Sequence, residues 1–432
     1  MISIIAIHLW HNLVYRMKHI IFKFLQVPLV IISVGVLLSN CNTRSATGWV
    51  YNTSEGFEIP IYKELNLSDY YLTQDIKFIE GGSFRMPPDT GFSALKLTVM
   101  SLYLLDHEIT NGEYLEFVNW MKKRKIMEMI AESNPDRRLE NGNYNENLPI
   151  TKEDEIFLAP LYLKVNNEKH FNNHLLLFKI PKRAREYYGL KNDSIVEIYP
   201  DTTCFDREVQ LEMRQRIYMR KYFSNPRYAD YPVVGINWLQ AIAYCEWRTD
   251  RLYEDVLLKL GEITQKSVYN TAEVLQIVFD ERNKSNGSAF IMSPGYFRLP
   301  TESEWILSTR LWDEKKGSIG QIYAWKGMNL TNRKGEYYAN FCQKEFKFSD
   351  PFDLLAPSKS FHISPKGMYD LCGNVAEWTI DRDINDNMKL KGGSWADSFE
   401  SMVYTNYQAM NYKSSSARVG FRIAMDSHHQ FK

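Results

Sequence analysis

The C-terminal third of the chain is rich in Gly, Asn and Asp and offers few stretches that could form a long helix or strand. In segments such as DLCGNVAEW (370–378) and LKGGSWADS (390–398), residues typical of turns interrupt the apolar runs. Buried backbone amides and carbonyls must nevertheless find hydrogen-bond partners. The pattern therefore predicts a region whose loops take those partners from polar side chains or from a metal ion.

The overall composition is that of a globular protein. Hydrophobic residues make up 44% of the 432 positions and charged residues 24%, which excludes disorder over the whole chain. Lys and Arg together number 52, as do Asp and Glu, so the formal net charge is zero. Proteins whose main partner is a nucleic acid normally carry a basic excess, so that class is disfavoured. The sequence has no Cys-x-x-Cys, Gly-rich phosphate loop or Gly-x-Ser-x-Gly motif, so it gives no sign of a zinc ribbon, nucleotide site or serine-hydrolase site.

The first forty residues have the pattern of a signal peptide. Lys18 and Lys23 precede the apolar run VPLVIISVGVLL (27–38), which is shorter than the roughly 20 residues that a helix needs to cross a bilayer. Met17 is an alternative start to Met1, because MKHIIFKF is a better positively charged region than MISIIAIH. The run therefore predicts export and not a membrane-spanning helix.

The apolar run ends in Leu38-Ser39-Asn40-Cys41, which resembles a bacterial lipobox. The resemblance implies that residues 1–40 are removed as a lipoprotein signal peptide and that Cys41 is acylated. A plain signal peptide with an incidental cysteine is the alternative. Acyl chains on Cys41 would hold the protein at a membrane surface, with residues 41–75 as the tether. Export would also permit disulfides among the four other cysteines, but spacing alone assigns no pairing.

Local patterns predict three core helices. Thr110 with Glu113, and Thr301 with Glu304, match the capping box, in which two side chains satisfy free amides at a helix start. Asn237 is the predicted N-cap of the other helix. Its buried stripe is predicted to be Trp238, Ile242 and Cys245. Strand-like runs occur at 75–86 (with a turn or bulge at Gly81-Gly82), 97–105, 159–165, 175–180 and 195–199.

Four segments occur in an order that resembles one family. They are GGSFRM (81–86) with DHEITNGEYLEFV (106–118), YPVVGINWLQAIAYCEW (231–247), RLPTESEW (298–305), and DLCGNVAEWTID…LKGGSW…SARVGFRIA (370–424). Together they resemble the formylglycine-generating enzyme, or sulfatase-modifying-factor, domain. The resemblance covers residues 76–426, with insertions at about 124–225 and 254–295 and a tail at 427–432. It implies an α+β fold related to C-type lectins, with little regular secondary structure and two long insertions.

The oxidase activity of that family needs two cysteines just after the Gly-Gly-Ser strand, where they bind copper(I). At the same distances after its own Gly-Gly-Ser segment, this chain has Asp397 and Met402 in place of the two cysteines. Copper(I) prefers soft sulfur ligands, above all thiolates, so we expect no copper and no catalytic residues. One alternative is an enzyme of altered chemistry that uses Asp397, Ser398 and Glu400 as acid–base groups. Another is a glycan-binding module, by analogy with lectin-like folds.

The resemblance also implies up to two structural calcium ions. The ligands of one would be Asn340, Phe341, Asp350 and Phe352. The ligands of the other would be Asp370, Gly373, Val375 and Glu377, with Asp370 in place of the family's asparagine. Carboxylate and carbonyl oxygens suit a hard cation that takes six to eight ligands. Capped turns without metal are the alternative for both loops.

A subgroup of the family matches further segments, namely SATGWVYN (45–52), IYPDTTCF (198–205) and NPRYADYPVVGINWLQAIAYCEWRTDR (225–251). These segments resemble the gliding-motility and type IX secretion lipoproteins GldK/PorK and GldJ, and both the K type and the J type remain open. The resemblance implies a lipoprotein on the periplasmic face of the outer membrane that acts as a non-catalytic scaffold. Its implied partners are other proteins of that machine, including a GldN/PorN-type periplasmic protein, in a ring-like assembly.

Overall fold

A computed structural model describes residues 75–85, 96–165, 167–191, 195–209, 213, 216, 219–285, 294–310, 321–342, 354–361 and 363–426. The predicted signal peptide, Cys41, nearly all of the tether, Asp350 and Phe352 lie outside the described residues. All described residues belong to one unit of the chain, which spans 67–432. Within these residues no helix combines the length and the apolar character needed to cross a membrane.

The helices of the described part begin, in most cases, where side chains satisfy free amides. They are α1 (Asn111–Ser133), α2 (Lys152–Leu158), α3 (Lys182–Tyr187), α4 (Cys204–Glu208), α5 (Trp238–Lys259), α6 (Ala272–Ser285) and α7 (Glu302–Thr309). The three predicted starts are confirmed: Thr110, Asn237 and Thr301 are N-caps, each with a reciprocal capping box. The predicted stripe of α5 is buried, but so are most of its other residues, because the helix lies inside the domain.

The strands are short. They are β1 (Ile76–Ile79), β2 (Gly82–Arg85), β3 (Lys96–Val99), β4 (Leu102–Leu105), β5 (Tyr162–Val165), β6 (Glu168–Phe171), β7 (Leu177–Lys179), β8 (Ile195–Glu197), β9 (Phe297–Arg298), β10 (Ala376–Arg382), β11 (Met388–Lys391), β12 (Gln408–Met410), β13 (Val419–Gly420) and β14 (Ala424–Asp426). One four-stranded sheet has the order β1-β4-β14-β9, and another has the order β12-β11-β10-β13. Three two-stranded ladders, β2-β3, β5-β6 and β7-β8, complete the pairing. The mixture of separate helices and mainly antiparallel strands confirms the α+β prediction.

The predicted single strand over 97–105 is wrong, because it is divided between β3 and β4. The break occurs at Ser101, whose hydroxyl accepts a hydrogen bond from the amide of Gly81 at 3.0 Å. A Cβ atom at Gly81 would come within 2.4 Å of the backbone nitrogen of Ser101. Glycine therefore allows the two segments to approach closely, and the predicted irregularity at Gly81-Gly82 is confirmed between β1 and β2.

The first insertion does not lie wholly outside the core. Ile180 and Ile198 are completely buried, and the hydroxyl of Tyr114 in α1 donates to the carbonyl of Ile198 at 2.8 Å. The second half of the range 124–225 therefore contributes to the core. The second insertion includes the end of α5 and the whole of helix α6, which has 14 residues.

Aromatic side chains join α1 to α5. Tyr114 stacks on Tyr244 with ring centroids 5.6 Å apart, and Phe117 and Phe421 contact this pair edge to face. These rings are at most 2% exposed. Much of the aromatic content thus forms the core, where such pairs stabilise the fold beyond the area that they bury.

Candidate functional site

The predicted calcium loop 370–377 is held between two other segments. The amide of Gly373 donates to the carbonyl of Gly392 at 2.9 Å, and the amide of Asn374 donates to the carbonyl of Asn340 at 2.8 Å. Gly373 has a φ of 77°, and a Cβ atom there would come within 2.2 Å of the carbonyl oxygen of Asn340. Only glycine fits this position. The structure therefore brings predicted residues of the two calcium loops into direct contact.

Asp370 and Asn340 both face neighbouring backbone. The carboxylate of Asp370 accepts hydrogen bonds from the amides of Lys359 and Phe361, the latter at 3.0 Å. The side-chain nitrogen of Asn340 donates to the carbonyl of Leu354 at 2.9 Å. Each carboxylate oxygen can accept more than one hydrogen bond or metal contact, so these bonds leave acceptor capacity on Asp370.

Glu377 is the partner of a buried arginine. Arg422 donates from Nη2 to Oε1 of Glu377 at 2.6 Å and from Nε to Oε2 at 2.7 Å. The indole nitrogen of Trp305 also donates to Oε2, at 2.8 Å. The two charged side chains are 1% and 0% exposed. Sequence reasoning missed Arg422, which lies in the segment SARVGFRIA but 45 positions from Glu377.

Glu108 is a second residue that sequence reasoning missed. Its buried carboxylate accepts hydrogen bonds from the side-chain amide of Asn374 at 2.8 Å and from the backbone amide of Val375 at 3.2 Å. Burial raises the pKa of the Glu108 carboxyl group well above its usual value, and the charges of Asp370 and Glu377 raise it further. Burial also raises the pKa of Asp370. The signal was present in DHEITNGEYLEFV, where Glu108 stands between a strand and a helix cap.

The charge balance of this cluster fits a bound cation. Three buried carboxyl groups lie around a single guanidinium, and because buried charge without a partner is costly, the pKa values of Glu108 and Asp370 are raised. A bound cation could take the place of the protons on these two groups. Among the described residues, no group of three or more His, Cys, Asp or Glu side chains is arranged to hold a metal by itself. A calcium ion at 370–377 would therefore depend on backbone oxygens such as those predicted at Gly373 and Val375. The other loop is described only at Asn340 and Phe341, and calcium at both loops stays a prediction.

Local contacts engage the side chains of Asp397 and Met402, which stand where the family has its oxidase cysteines. Asp397 accepts hydrogen bonds from the amide of Ser394 at 2.9 Å and from the hydroxyl of the same residue, which closes a turn. Met402 is completely buried in a hydrophobic cluster with Trp305 and Tyr323. A carboxylate engaged in a turn and a thioether packed in the core do not form a thiolate pair.

Two cysteines lie beside these positions. The amide of Cys342 donates to the carbonyl of Asp397 at 2.8 Å, and the thiol of Cys372 lies 3.5 Å from the carbonyl of Met402. Burial raises the pKa of the Cys372 thiol to about 12, so it is protonated at neutral pH and is a poor copper ligand. All four cysteines of the described part, Cys204, Cys245, Cys342 and Cys372, are free thiols.

The acid–base alternative depends on Asp397, Ser398 and Glu400. Ser398 and Glu400 are exposed, whereas the carboxylate of Asp397 is engaged by Ser394. Phe399, between them, is 41% exposed. These residues form a surface segment after the Gly-Gly-Ser turn.

A family model described as the sulfatase-modifying factor enzyme 1-like domain matches residues 68–427. The chain belongs to this family. The match includes both insertions, the cluster around Arg422 and the positions Asp397 and Met402. It confirms the resemblance to the formylglycine-generating enzyme domain, and with it the family fold.

Relatives within the family include inactive and active proteins. The chain is 27% identical over 204 residues to the inactive C-alpha-formylglycine-generating enzyme 2 of Bos taurus, which covers 45% of this chain and 50% of the relative. It is also 27% identical over 222 residues to the formylglycine-generating enzyme of Bos taurus, which covers 46% of this chain and 44% of the relative. The chain thus spans about half the length of these relatives.

The solved structures that match this chain include CarF and also PvdO, the latter from Pseudomonas aeruginosa. CarF is 15% identical, with a TM-score of 0.39, and the match covers 82% of this chain and 98% of CarF. PvdO is 12% identical, with a TM-score of 0.36, and the match covers 82% of this chain and 96% of PvdO.

Proposed function

We propose that this protein is a non-catalytic scaffold of a type IX secretion or gliding-motility machine, anchored through acylated Cys41 to the periplasmic face of the outer membrane. The observation that carries the proposal is a concentration of exposed apolar side chains on the first insertion. Of the twenty large hydrophobic residues that are exposed in the described part of the chain, eleven lie within 124–225. Apolar side chains that gather on an exposed surface mark sites where proteins associate.

The β5-β6 ladder shows this surface most directly. Leu163 and Val165, two positions apart, lie on the same face of β5 and are 49% and 50% exposed. In α2, Ile156 is 73% exposed. An exposed apolar strand without a cover is an aggregation hazard, so a permanent partner, such as a GldN/PorN-type periplasmic protein, would explain its presence.

The contacts of Met402 and Asp397 support the absence of oxidase chemistry. Both positions lack a thiolate, and the neighbouring Cys372 is held as a buried thiol. We expect the purified protein to form no formylglycine in a sulfatase-type cysteine peptide, with or without added copper. Aldehyde formation that disappears in Cys342→Ser or Cys372→Ser variants would overturn this part of the proposal.

The scaffold role is tested by a surface substitution, because deletion of the whole insertion would remove buried residues. Leu163→Asp combined with Val165→Asp places two charges on the exposed face of β5. We expect the variant to melt like the wild type but to lose its partners when the complex is purified from the native membrane. Ile384→Asp, at a site that is 97% exposed and outside the insertions, is the matched control. Normal assembly of the double variant would contradict the proposal.

A further inference from the structure

A cavity of about 540 Å³ lies where the first insertion meets the core. Its walls come from α1, the segment from β7 into α3, α5 and the start of α6. The base is apolar and includes Met121, Phe178 and Ile180. This volume falls within the range of pockets that hold small ligands or a few side chains.

The rim of this cavity carries more cations than anions. Two cations are already paired: Arg124 with Glu128 at 2.8 Å, and Arg183 with Glu246. The cations that remain in the lining are Lys125, Lys179, Lys182 and Arg185, and the acids that remain are Asp250 and Glu273.

The remaining cations are poorly compensated. Lys182 approaches Glu186 at 3.6 Å, but both side chains are more than two-thirds exposed, where ion pairs contribute little. Within the described chain, no carboxylate lies within ion-pairing distance of Lys125, Lys179 or Arg185, and the buried Nε of Arg185 has no hydrogen-bond partner. An unsatisfied buried donor is unusual and favours a ligand that supplies an acceptor.

Asp250 contributes less than a full negative charge to the cavity near neutral pH. It is 6% exposed, and it accepts a hydrogen bond from the amide of Ala272 at 2.7 Å. Burial raises the pKa of its carboxyl group to about 7. The cationic excess of the rim is therefore larger than a count of residues suggests.

The cationic surface extends beyond the cavity. A second cavity, of about 310 Å³, shares Lys182 and Arg185 and adds Lys191. Leu177, in the lining of the first cavity, is 52% exposed, and Ile195, which pairs with Lys179 across the β7-β8 ladder, is 61% exposed. A ligand that covered the whole surface would be larger than the first cavity, and it would carry both acidic and apolar groups.

We propose that this surface binds an acidic segment of a partner protein, with an apolar side chain in the cavity and carboxylates against Lys179 and Arg185. This inference rests on the scaffold role proposed above, and it specifies the acidic and apolar character of the partner segment. The charge and shape of the surface favour such a segment. A carboxylate can accept two hydrogen bonds from Arg185, and an apolar side chain can fill the base of the cavity.

The test is a charge reversal in the full-length protein, assembled in its native membrane. Lys179→Glu combined with Arg185→Glu should reduce the partner recovered with the purified complex by about tenfold. Lys179→Gln combined with Arg185→Gln should give an intermediate loss. Lys334→Glu, in an exposed turn outside both cavities and both insertions, is the matched control and should leave recovery at the wild-type level. Thermal melting of each purified variant checks that the fold is intact.

A photo-crosslinking residue at Leu177 identifies the segment that contacts the surface. We expect mass spectrometry to find one partner peptide with a clear acidic excess, and we expect its yield to fall as salt screens the charges. A neutral or basic crosslinked peptide, or wild-type recovery in the charge-reversal variant, would overturn the inference. If Leu163→Asp with Val165→Asp still blocks assembly in that case, the scaffold role stands and only the acidic-segment inference fails.

Discussion

Replacement of Arg422 by glutamine should be among the most destabilising single changes in this domain. The side chain is completely buried and donates four hydrogen bonds: two to Glu377, at 2.6 and 2.7 Å, and one each to the carbonyls of Leu105, at 3.2 Å, and Tyr369, at 2.9 Å. Removal of one partner from a buried ion pair typically costs about 3–5 kcal/mol, because the other charge stays buried without compensation. That loss is a large part of the roughly 5–15 kcal/mol by which a domain is stable.

The cluster also predicts an asymmetry between the two partners. Arg422→Gln leaves the carboxylate of Glu377 without a cation, and the neighbouring Glu108 and Asp370 can offer it no positive charge. In Glu377→Gln, by contrast, the carboxyl groups of Glu108 and Asp370 lose a neighbour that raises their pKa and can ionise to balance Arg422. We therefore expect Arg422→Gln to lower the free energy of unfolding more than Glu377→Gln. The double variant should cost at least about 2 kcal/mol less than the sum of the single variants, since the two side chains interact directly.

Urea denaturation followed by tryptophan fluorescence measures these differences, and Trp305 reports directly on the site through its hydrogen bond to Glu377. Arg382→Gln is the control, because Arg382 pairs with Asp386 at the surface and such pairs contribute at most about 1 kcal/mol. Additive single and double variants, or a larger effect of Glu377→Gln, would show that the cluster does not act as one electrostatic unit.

Three further predictions concern metal, pH and anchoring. Calcium chelation should lower the melting temperature, because a ligand that binds only the folded state contributes about 2.7 kcal/mol to stability at 100 times its Kd. Glu377→Ala should reduce the effect of the chelator. An unchanged melting curve with chelator would contradict the calcium prediction. Burial raises the pKa of Asp250 from 3.8 to about 7, so the folded state binds the proton more tightly and the contribution of this group to stability falls as pH rises from about 4 to 7. Asp250→Asn keeps an acceptor for Ala272 and should therefore stabilise the protein at pH 8 but not at pH 4, as measured by urea denaturation at both values; equal effects at the two pH values would refute the argument. Cys41→Ala should leave the protein unlipidated and release it from the outer-membrane fraction, and mass spectrometry of the mature N-terminus together with cell fractionation checks both points.

The features that could be predicted from the sequence are those set by neighbouring residues. The capping boxes at Thr110, Asn237 and Thr301 depend on side chains three positions apart, so the sequence contains all of the chemistry. Helix α6 shows the opposite case. Its first amide is satisfied by Asp250 of α5, 22 positions earlier.

The candidate site also combines features that could be predicted from the sequence with features that could not. The types of residue at Asp397 and Met402 already showed that no thiolate pair exists there. They did not show that Met402 is packed in the core or that Cys372 lies beside it. The partnership of Glu377 with Arg422, and the approach of Glu108, depend on segments that the fold brings together from distant parts of the chain, and no local pattern encodes such contacts.

The sheet that contains β1, β4, β14 and β9 has a consequence for the order in which the protein folds. Strand β14 lies between β4 and β9, so the sheet is incomplete until residues 424–426 have been synthesised. About 320 residues separate β4 from β14, and at roughly 5–20 residues per second the ribosome needs on the order of 15–60 s to make them. During that time one edge of β4 lacks its final neighbour, and open strand edges promote aggregation. The sheet can close only after residues 424–426 have been made, so this edge of β4 is the part of the domain that stays open to aggregation longest during synthesis.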